Sequence, residues 1–559
     1  MKKPPLGKSD FRSLIEDNLY FVDKSLFIKD IIENSSDIIL FPRPRRFDKT
    51  LTLSMLRYFF EKVENKNQIK QLFKNLSIEK EPLFKEHLCR YPVIYLTFKD
   101  IKYDRFDDSY DGIKTIISEE FEKHDYLLDS DKLSDLNKKE FQEIINKRAN
   151  NSSYSNSLKV LTGCLSKYHR KKVVLLIDEY DTPIHTAFYR NYYEEMITFF
   201  RIFLGAGLKD NPHVFKGVIT GILRVAKESI FSDLNNPEVY SIIRREFESS
   251  FGFTEGELVE MLDYYGISNK KKFIKKWYDG YVFGKTKIYN PWSILSFVKS
   301  IDKEFRPYWI NTSSNNLIKD LIKNSSRGIK NELNDLLRDK PIRKEINENI
   351  SFETINTNDV SLYSFLLFCG YLKAFDLNHT DEADYYRLLI PNLEVKRSFR
   401  DIISGWIKES KFENENLKIM LKALVTGDIE LFADIFEDFI LETLSYFMIG
   451  KKQNVEYVYQ AFILGMFVNL MADYDVSTEK ESGYGRYDVS IVPKDRSKLA
   501  IIMELKVIRK KETKDTALKN AIKQLNEKKY ETGIIKQGIK DFKKLAVVFD
   551  GKLCWVKEC

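Results

Sequence analysis

With 559 residues the chain is too long for a single hydrophobic core, and about three domains is the expectation. Its 43% hydrophobic and 31% charged residues exclude a disordered chain, and no apolar run reaches the roughly 18 residues of a membrane helix. The net charge of +7 is concentrated near the end: residues 506–544 carry thirteen Lys/Arg against five Asp/Glu, a balance of +8 that suits a polyanionic partner or a solvated basic surface.

Strand-like runs occur early, at residues 37–41 (DIILF), 91–98, 173–177 and 214–220, with helical patterns between them such as LTLSMLRYFF after Thr50. Apolar strands alternating with helices predict an α/β domain on a largely parallel sheet. The polar stretch 129–157 reads as an insertion or exposed helical loop. From about residue 291 to 453 the pattern turns mainly helical, and FLLFCGYL (365–372) reads as a buried helix. The tail returns to mixed α/β: a helix at 455–471, strands at 487–492 and 499–507, a helix at 515–529, and strands near 545–549 and 553–556. The expected domains are 1–295, 296–453 and 454–559.

The segment RPRRFDKT (43–50) follows the first strand and leads into a helix. Strand, tight loop, Lys-Thr and helix are the context of a P-loop. There backbone N–H groups and the helix N-terminus cradle phosphates, lysine reaches the β/γ oxygens and threonine holds Mg²⁺. Lys49 and Thr50 occupy those positions. In the G-x-x-x-x-G-K-[ST] register, however, Arg43 and Asp48 stand where glycines belong. Asp tolerates unusual backbone angles better than most residues, but its carboxylate beside phosphates would repel them. At ~4 Å that repulsion is about 4 kcal/mol for an effective dielectric of ~20, so Arg45 or Arg46 is the expected counter-charge.

The run VVLLIDEYD (173–181) adds a strand ending in Asp178-Glu179. Aspartate there can hold Mg²⁺ and glutamate can polarise the attacking water; a buried strand ending in surface acids is the plain alternative. Thr220, at the next strand end, is placed to sense a γ-phosphate, and Arg224 follows within reach.

Near the end, Asp488 lies in one strand and Glu504-Leu505-Lys506 in the next. Alternation puts Glu504 and Lys506 on one face. A hairpin brings Asp488 beside them, so that two carboxylates hold one or two Mg²⁺ or Mn²⁺ ions and Lys506 positions water or neutralises developing charge. In the following helix Ala517, Ala521 and Gln524 share an inward face, and Gln524 requires a polar partner there, such as a metal-bound water or the Glu/Lys pair. Six histidines show no HExxH or paired metal spacing, and five cysteines show no CxxC, so a reducing cytoplasm is the simplest setting. The aromatic runs WYDGYVFG (277–284) and IYNPWSI (288–294) read as core packing rather than a base- or partner-contacting surface.

Taken together, YFVDKSLFIKDII (20–32), RPRRFDKT, IDEYDTPI (177–184), TGILRVAKESIFSDLNN (220–236), WYDGYVFG and IYNPWSI resemble the bacterial AAA-ATPase-like family. In that family this domain is commonly followed by a PD-(D/E)XK nuclease domain, which ESGYGRYDVSIVP (481–493), MELKV (503–507) and Gln524-x5-Tyr530 resemble. The resemblance implies an AAA/ASCE-like P-loop sheet, a helical middle region and a C-terminal mixed α/β nuclease-like domain. It implies a nucleotide site of Arg46, Asp48, Lys49, Thr50, Asp178, Thr220 and Arg224, with Glu179 serving the water and Thr50 and Asp178 the metal. It also implies catalytic Asp488, Glu504 and Lys506 with an accessory Gln524, Asp488 and Glu504 being the metal ligands. ATP and DNA, rather than RNA, are the implied partners; no membrane partner is expected and oligomerisation is left open.

Arg43 is no departure from the family, but Asp48 replaces its Gly (RPRRFGKT), and Tyr459-Gln460 replaces Tyr-His. Glu456, Glu481 and Arg486 are further candidates near the second site. The resulting expectation is a metal-dependent nuclease coupled to an ATP-binding module with a degenerate Walker A. The alternative is a nucleotide-sensing pseudo-ATPase scaffold or partner-binding protein without ATP hydrolysis. An intact acid–lysine set argues against full loss of catalysis, because buried charges are costly to keep.

Overall fold

The computed structural model describes residues 1–224, 237–309, 321, 327–337, 339–350, 355, 358–379, 384–399, 414–447, 466–467, 470, 473–482, 485–508, 512–528, 530–550 and 553–559. Two compact units result, residues 1–324 with 332–396, and 325–331 with 397–559.

In the first unit, β1 (Ile38–Pro42), β2 (Val93–Thr97), β3 (Val173–Asp178), β4 (Val214–Gly221) and β5 (Pro237–Val239) form one parallel sheet in the order β2-β3-β4-β1-β5. The apolar runs read from sequence are these strands. Every residue of β1 and β3 is buried, as a parallel sheet covered on both faces requires. Because β4 lies between β1 and β3, the loop after β1 and the acids after β3 flank Thr220, all at the C-terminal edge where open α/β sheets bind ligands.

The helices between these strands include α1 (Lys49–Phe60), α2 (Phe106–Glu122), α3 (Asp135–Ile145), α4 (Asn151–His169) and α5 (Tyr193–Leu208). The stretch 129–157, expected as an insertion or exposed helical loop, is helical, forming α3 and the start of α4, but is docked rather than exposed. Ser134 and Asn150 cap the two helices, and Phe141, Ile144, Tyr154 and Leu158 are buried. A sparse apolar stripe at helical spacing is enough to dock a helix whose other face is polar.

A small antiparallel sheet of β6 (Phe253–Thr254), β7 (Tyr281–Phe283) and β8 (Thr286–Tyr289) follows, with α6 (Glu255–Tyr264) entered through a Thr254/Glu257 capping box and α7 (Pro291–Lys299) capped by Asn290. Tyr278, Tyr281, Phe283, Tyr289 and Ile294 are buried, which is the core reading of the two aromatic runs. Among the described residues the middle region is helical apart from a three-stranded antiparallel sheet of β9 (Ile342–Glu345), β10 (Lys373–His379) and β11 (Asp384–Leu389) in the order β10-β11-β9. The buried helix expected at 365–372 is α8 (Asp359–Phe368). It ends short of expectation because Gly370 takes φ +85°, and a Cβ there would lie 3.1 Å from the Pro44 side chain.

Glu394 ties this region together. Fully buried, it accepts hydrogen bonds from the Trp309 N–H (2.7 Å) and the Ser293 hydroxyl (2.7 Å). Burial pushes its carboxyl up from 4.5 to about 7. The folded chain therefore binds this proton more tightly than the unfolded chain, and the associated stability, fully present below 4.5, is lost as pH rises to about 7. Glu394→Gln is expected to gain about 3 kcal/mol relative to the parent between pH 5 and pH 8. Parallel melting-temperature-versus-pH curves for the two proteins would contradict this.

The second unit carries a mixed sheet of β12 (Tyr474–Ser482), β13 (Gly485–Pro493), β14 (Ala500–Val507), β15 (Phe542–Asp550) and β16 (Leu553–Glu558), in that order. Only β14 and β15 are parallel, and helix α9 (Lys514–Glu527) makes their crossover. Ala521 and Leu525 of α9 pack with Tyr530 on Val492, Ala500, Ile502 and Ala546. Strand β12 is absent from the sequence reading; Tyr474 and Val476 are buried around an exposed Asp475, a period of two in an otherwise polar run. The helix expected at 455–471 lies, apart from 466–467 and 470, outside the described residues, as do Glu456, Tyr459 and Gln460. Among the described residues no helix is long and apolar enough to cross a membrane.

Candidate functional site

The loop after β1 ends on α1, whose N-cap Asp48 has φ 58° and ψ 24°. Arg46 (φ 67°) and Glu179 (φ 50°) are also left-handed. Non-glycine residues held in this region store strain of order 1–3 kcal/mol each, and such residues cluster at functional sites. Lys49, 5% exposed, donates from Nζ to the carbonyls of Arg43 (2.9 Å) and Pro44 (3.0 Å). Burial pulls its pKa down, against the nearby acids Glu179, Asp181 and Asp178. Thr50 Oγ1 donates to Asp178 Oδ2 (2.7 Å), and Thr220 Oγ1 donates to Asp178 Oδ1 (2.6 Å). Asp178 is fully buried, which raises its pKa while the two hydroxyls hold it down. The loop threonine, the strand-end aspartate and the neighbouring strand's threonine thus form one hydrogen-bonded row. Glu179 is beside it, accepting from Thr182 Oγ1 (3.1 Å).

Two of the arginines behave differently from a phosphate ligand. Arg43 is wholly buried, donating to the Pro42 and Tyr240 carbonyls and lying over the rings of Phe41, Phe251 and Phe283; burial lowers its pKa to about 9. It fills the first glycine position as a structural cation. Arg46 lies over the Trp292 ring, 4.2 Å from its centroid, and senses the charge of Glu179. The expected pairing of Arg45 or Arg46 with Asp48 is not made: the charge that offsets the burial of Asp48 is Lys24, from the N-terminal segment. Trp309 Nε1 donates to the Arg45 carbonyl (3.2 Å). Arg224 ends the described segment after β4, and its buried Nε has no hydrogen-bond partner among the described residues.

Asp181 is the residue the sequence reading passed over. Buried, it accepts at Oδ2 from the backbone N–H groups of Ile222 (2.7 Å) and Leu223 (3.0 Å), while the Tyr180 hydroxyl donates to the Leu223 carbonyl (2.8 Å). Gly221 permits this closeness, since a Cβ there would be 2.7 Å from the Tyr180 ring and 2.9 Å from Asp181 Oδ1. The IDEYD run therefore locks the segment between Thr220 and Arg224. Asp181→Ala leaves one buried and one half-buried N–H group unpaired and is expected to cost about 2–4 kcal/mol, with Asp181→Asn recovering part of it. An unchanged melting temperature in Asp181→Ala would refute the assignment.

In the second unit, β13 and β14 pair through Val489↔Met503, and beyond that point the Asp488 carboxylate takes the next N–H, accepting from Leu505 at 2.7 Å. Ser490 faces Ile502 across the ladder, so Asp488, Glu504 and Lys506 share the sheet face that carries α9. Glu504 is 1% exposed and Lys506 Nζ is 3.0 Å from its Oε1, with the lysine side chain 31% exposed. Gln524 does turn inward, but its described partner is Tyr530, to whose hydroxyl it donates at 3.0 Å. Burial raises the Tyr530 pKa, and the charges of Glu504 and Asp488 add to the shift. Glu481 and Arg486 oppose one another in the β12–β13 register. Among the described residues no group of three or more His, Cys, Asp or Glu gathers as a metal site. Two carboxylates with a lysine still suit a hard cation that keeps several water or phosphate oxygens.

Comparison with known proteins assigns two segments of the chain. Residues 5–231 match the family described as "Predicted AAA-ATPase", and residues 454–559 match the PD-(D/E)XK nuclease superfamily. A curated relative from Azotobacter chroococcum mcd 1, "Uncharacterized protein in vnfD 5'region", is 24% identical over 536 residues, covering 95% of this chain and 93% of its own. Domains of the first kind bind ATP, and those of the second generally use divalent metals. The chain therefore combines an AAA-ATPase-like domain over residues 5–231 with a PD-(D/E)XK nuclease superfamily domain over residues 454–559.

Proposed function

We propose that this protein is a divalent-metal-dependent nuclease, acting on DNA in preference to RNA, whose cutting is controlled by its ATP-binding module. The observation that carries the reading is the buried Glu504, held 3.0 Å from Lys506 on the face that also presents Asp488. A carboxylate kept at 1% exposure is costly unless it is paired with a cation or serves a charged ligand. Asp488 and Glu504 would hold Mg²⁺ or Mn²⁺, which supplies an activated water and neutralises phosphate charge when bound. Lys506 orients the attacking water or stabilises charge developing on the phosphodiester. Gln524, through Tyr530, keeps the α9 side of the site in place.

In the other module Lys49 and Thr50 receive the β/γ-phosphates and their Mg²⁺, Asp178 acts through Thr50, Glu179 orients water, and Thr220 and Arg224 respond to the γ-phosphate. Arg46 and Asp48 flank this site. Asp48 supports a second reading, in which the Walker A is degenerate and the module senses nucleotide without hydrolysing it. Unpaired cysteines suit a reducing, cytoplasmic setting.

The test is cleavage of labelled single- and double-stranded DNA and RNA, with Mg²⁺, Mn²⁺ or EDTA, with and without ATP. DNA cutting that requires the metal is expected. No cutting of any substrate, with or without ATP, would select the nucleotide-sensing scaffold instead.

A further inference from the structure

Between Asp263 and Asp279 the chain carries five lysines, Lys270, Lys271, Lys272, Lys275 and Lys276, and no acid. Four of them lie on the helix Lys271–Tyr278, which contributes to neither candidate site. The helix is one-sided. Ile274 and Tyr278 are fully buried in a core with Leu262 and Phe297, so its apolar side is already used. On one flank Lys271 and Lys275 pair with Glu255 of α6. Lys272 and Lys276 are exposed on the outer face, four residues and so about one turn apart. Together with Lys270 they make no ion pair or side-chain hydrogen bond among the described residues.

Beside that row of cations runs a row of rings. Phe273, 55% exposed, and the partly buried Trp277 are likewise one turn apart. Both lean on Phe305, at 5.9 Å between centroids, and Phe305 stacks on the buried Phe297 at 4.7 Å. The contact with Phe305 restricts the Phe273 ring while more than half of the residue stays in water. Uncompensated lysines favour a polyanion. A single strand carries phosphates along one edge and flat bases along the other, which is the order of the two rows, and base–aromatic stacking tolerates any sequence. A duplex keeps its base faces stacked on one another. A bilayer requires a free apolar helix face, and here that face is buried in the core.

We propose that the helix Lys271–Tyr278 is a binding surface for single-stranded nucleic acid, with Lys270, Lys272 and Lys276 holding phosphates and Phe273 stacking on a base. This surface lies in the first unit, apart from the acid–lysine set of the second, and relies on the nuclease reading only for the class of polyanion.

The experiment is fluorescence anisotropy of a labelled single-stranded DNA oligonucleotide with the full chain, in EDTA so that metal-dependent cutting is silent, over a range of salt concentrations. The parent is compared with Lys272→Gln/Lys276→Gln, Phe273→Ala and Phe273→Tyr, and circular dichroism verifies that these exposed changes leave the fold intact. Each phosphate-bound lysine contributes about 0.7 to the slope of log affinity against log salt. The double variant is therefore expected to bind about tenfold more weakly at ~0.1 M salt, with a slope shallower by about 1.4. Phe273→Ala should weaken single-strand binding about tenfold at an unchanged slope, and Phe273→Tyr should restore it. A duplex of the same sequence should bind the parent and Phe273→Ala alike. Parental affinity and slope in the double variant overturn the proposal. So does a Phe273→Ala protein that binds the single strand as the parent does, or that loses single strand and duplex equally. Capture of the parent, but not of the double variant, on phosphatidylserine–phosphatidylcholine vesicles, with oligonucleotide binding unaffected by the lysine changes, would make the helix a membrane surface and overturn it too. Because no cutting is measured, each outcome stands whether or not the second unit proves to be a nuclease.

Discussion

Glu504→Ala is expected to lower metal-dependent strand cleavage by about a thousandfold or more while leaving the fold intact. Two physical effects combine. The variant loses one of two carboxylates able to hold the cation, and the transition-state stabilisation supplied by a bound metal is several kcal/mol, each 1.36 kcal/mol being tenfold in rate. It also removes the group against which Lys506 is positioned at 3.0 Å. The fold should survive because Lys506, 31% exposed, can turn its ammonium to water, whereas deleting a buried carboxylate removes a desolvation cost. Two readouts separate chemistry from structure: the cleavage rate, and the rise in melting temperature that Mn²⁺ produces by binding the folded state. Both should be lost in Glu504→Ala with the metal-free melting temperature unchanged or higher. Persistent cutting would place the active site elsewhere.

Lys49→Ala is the second large effect. Its ammonium bonds the carbonyls of Arg43 and Pro44, and these are the contacts a β/γ-phosphate would replace. Charge-assisted hydrogen bonds of this kind contribute about 1.5–3 kcal/mol each, so ATP binding should weaken by roughly a hundredfold or more. Any influence of ATP on cleavage should disappear with it. Four rates decide the matter, parent and Lys49→Ala with and without ATP. If ATP changes only the parent's rate, the modules are coupled; equal rates in all four show that the nucleotide module does not govern cutting.

Much of this was readable in one dimension. Apolar runs of strand length marked β1 to β4, and a Lys-Thr after the first and Asp-Glu after the third marked the loop and acids. Glu504 and Lys506 on one face followed from the two-residue period of a strand. Such signals are local, written within a few residues, and survive whatever the rest of the chain does. Other features depend on residues far apart. The Thr50–Asp178 bond spans 128 positions, and only the strand order, with β4 between β1 and β3, brings Thr220 to the same carboxylate. The partner of Asp48 was misread as Arg45 or Arg46, because adjacency along the loop says nothing about direction once φ turns positive. The left-handed backbone and the packing of residues 20–24 over α1 leave the Asp48 carboxylate without a hydrogen bond among the described residues, its charge offset only from a distance by Lys24, whose ammonium is bonded to Glu257. Asp181 and Arg43 were likewise invisible as anchors, since their roles consist of bonds to backbone groups just past the ends of distant strands. Residue type and period, which are properties of the chain, specified the elements and the chemistry; which side chains meet was decided by sheet order and by burial.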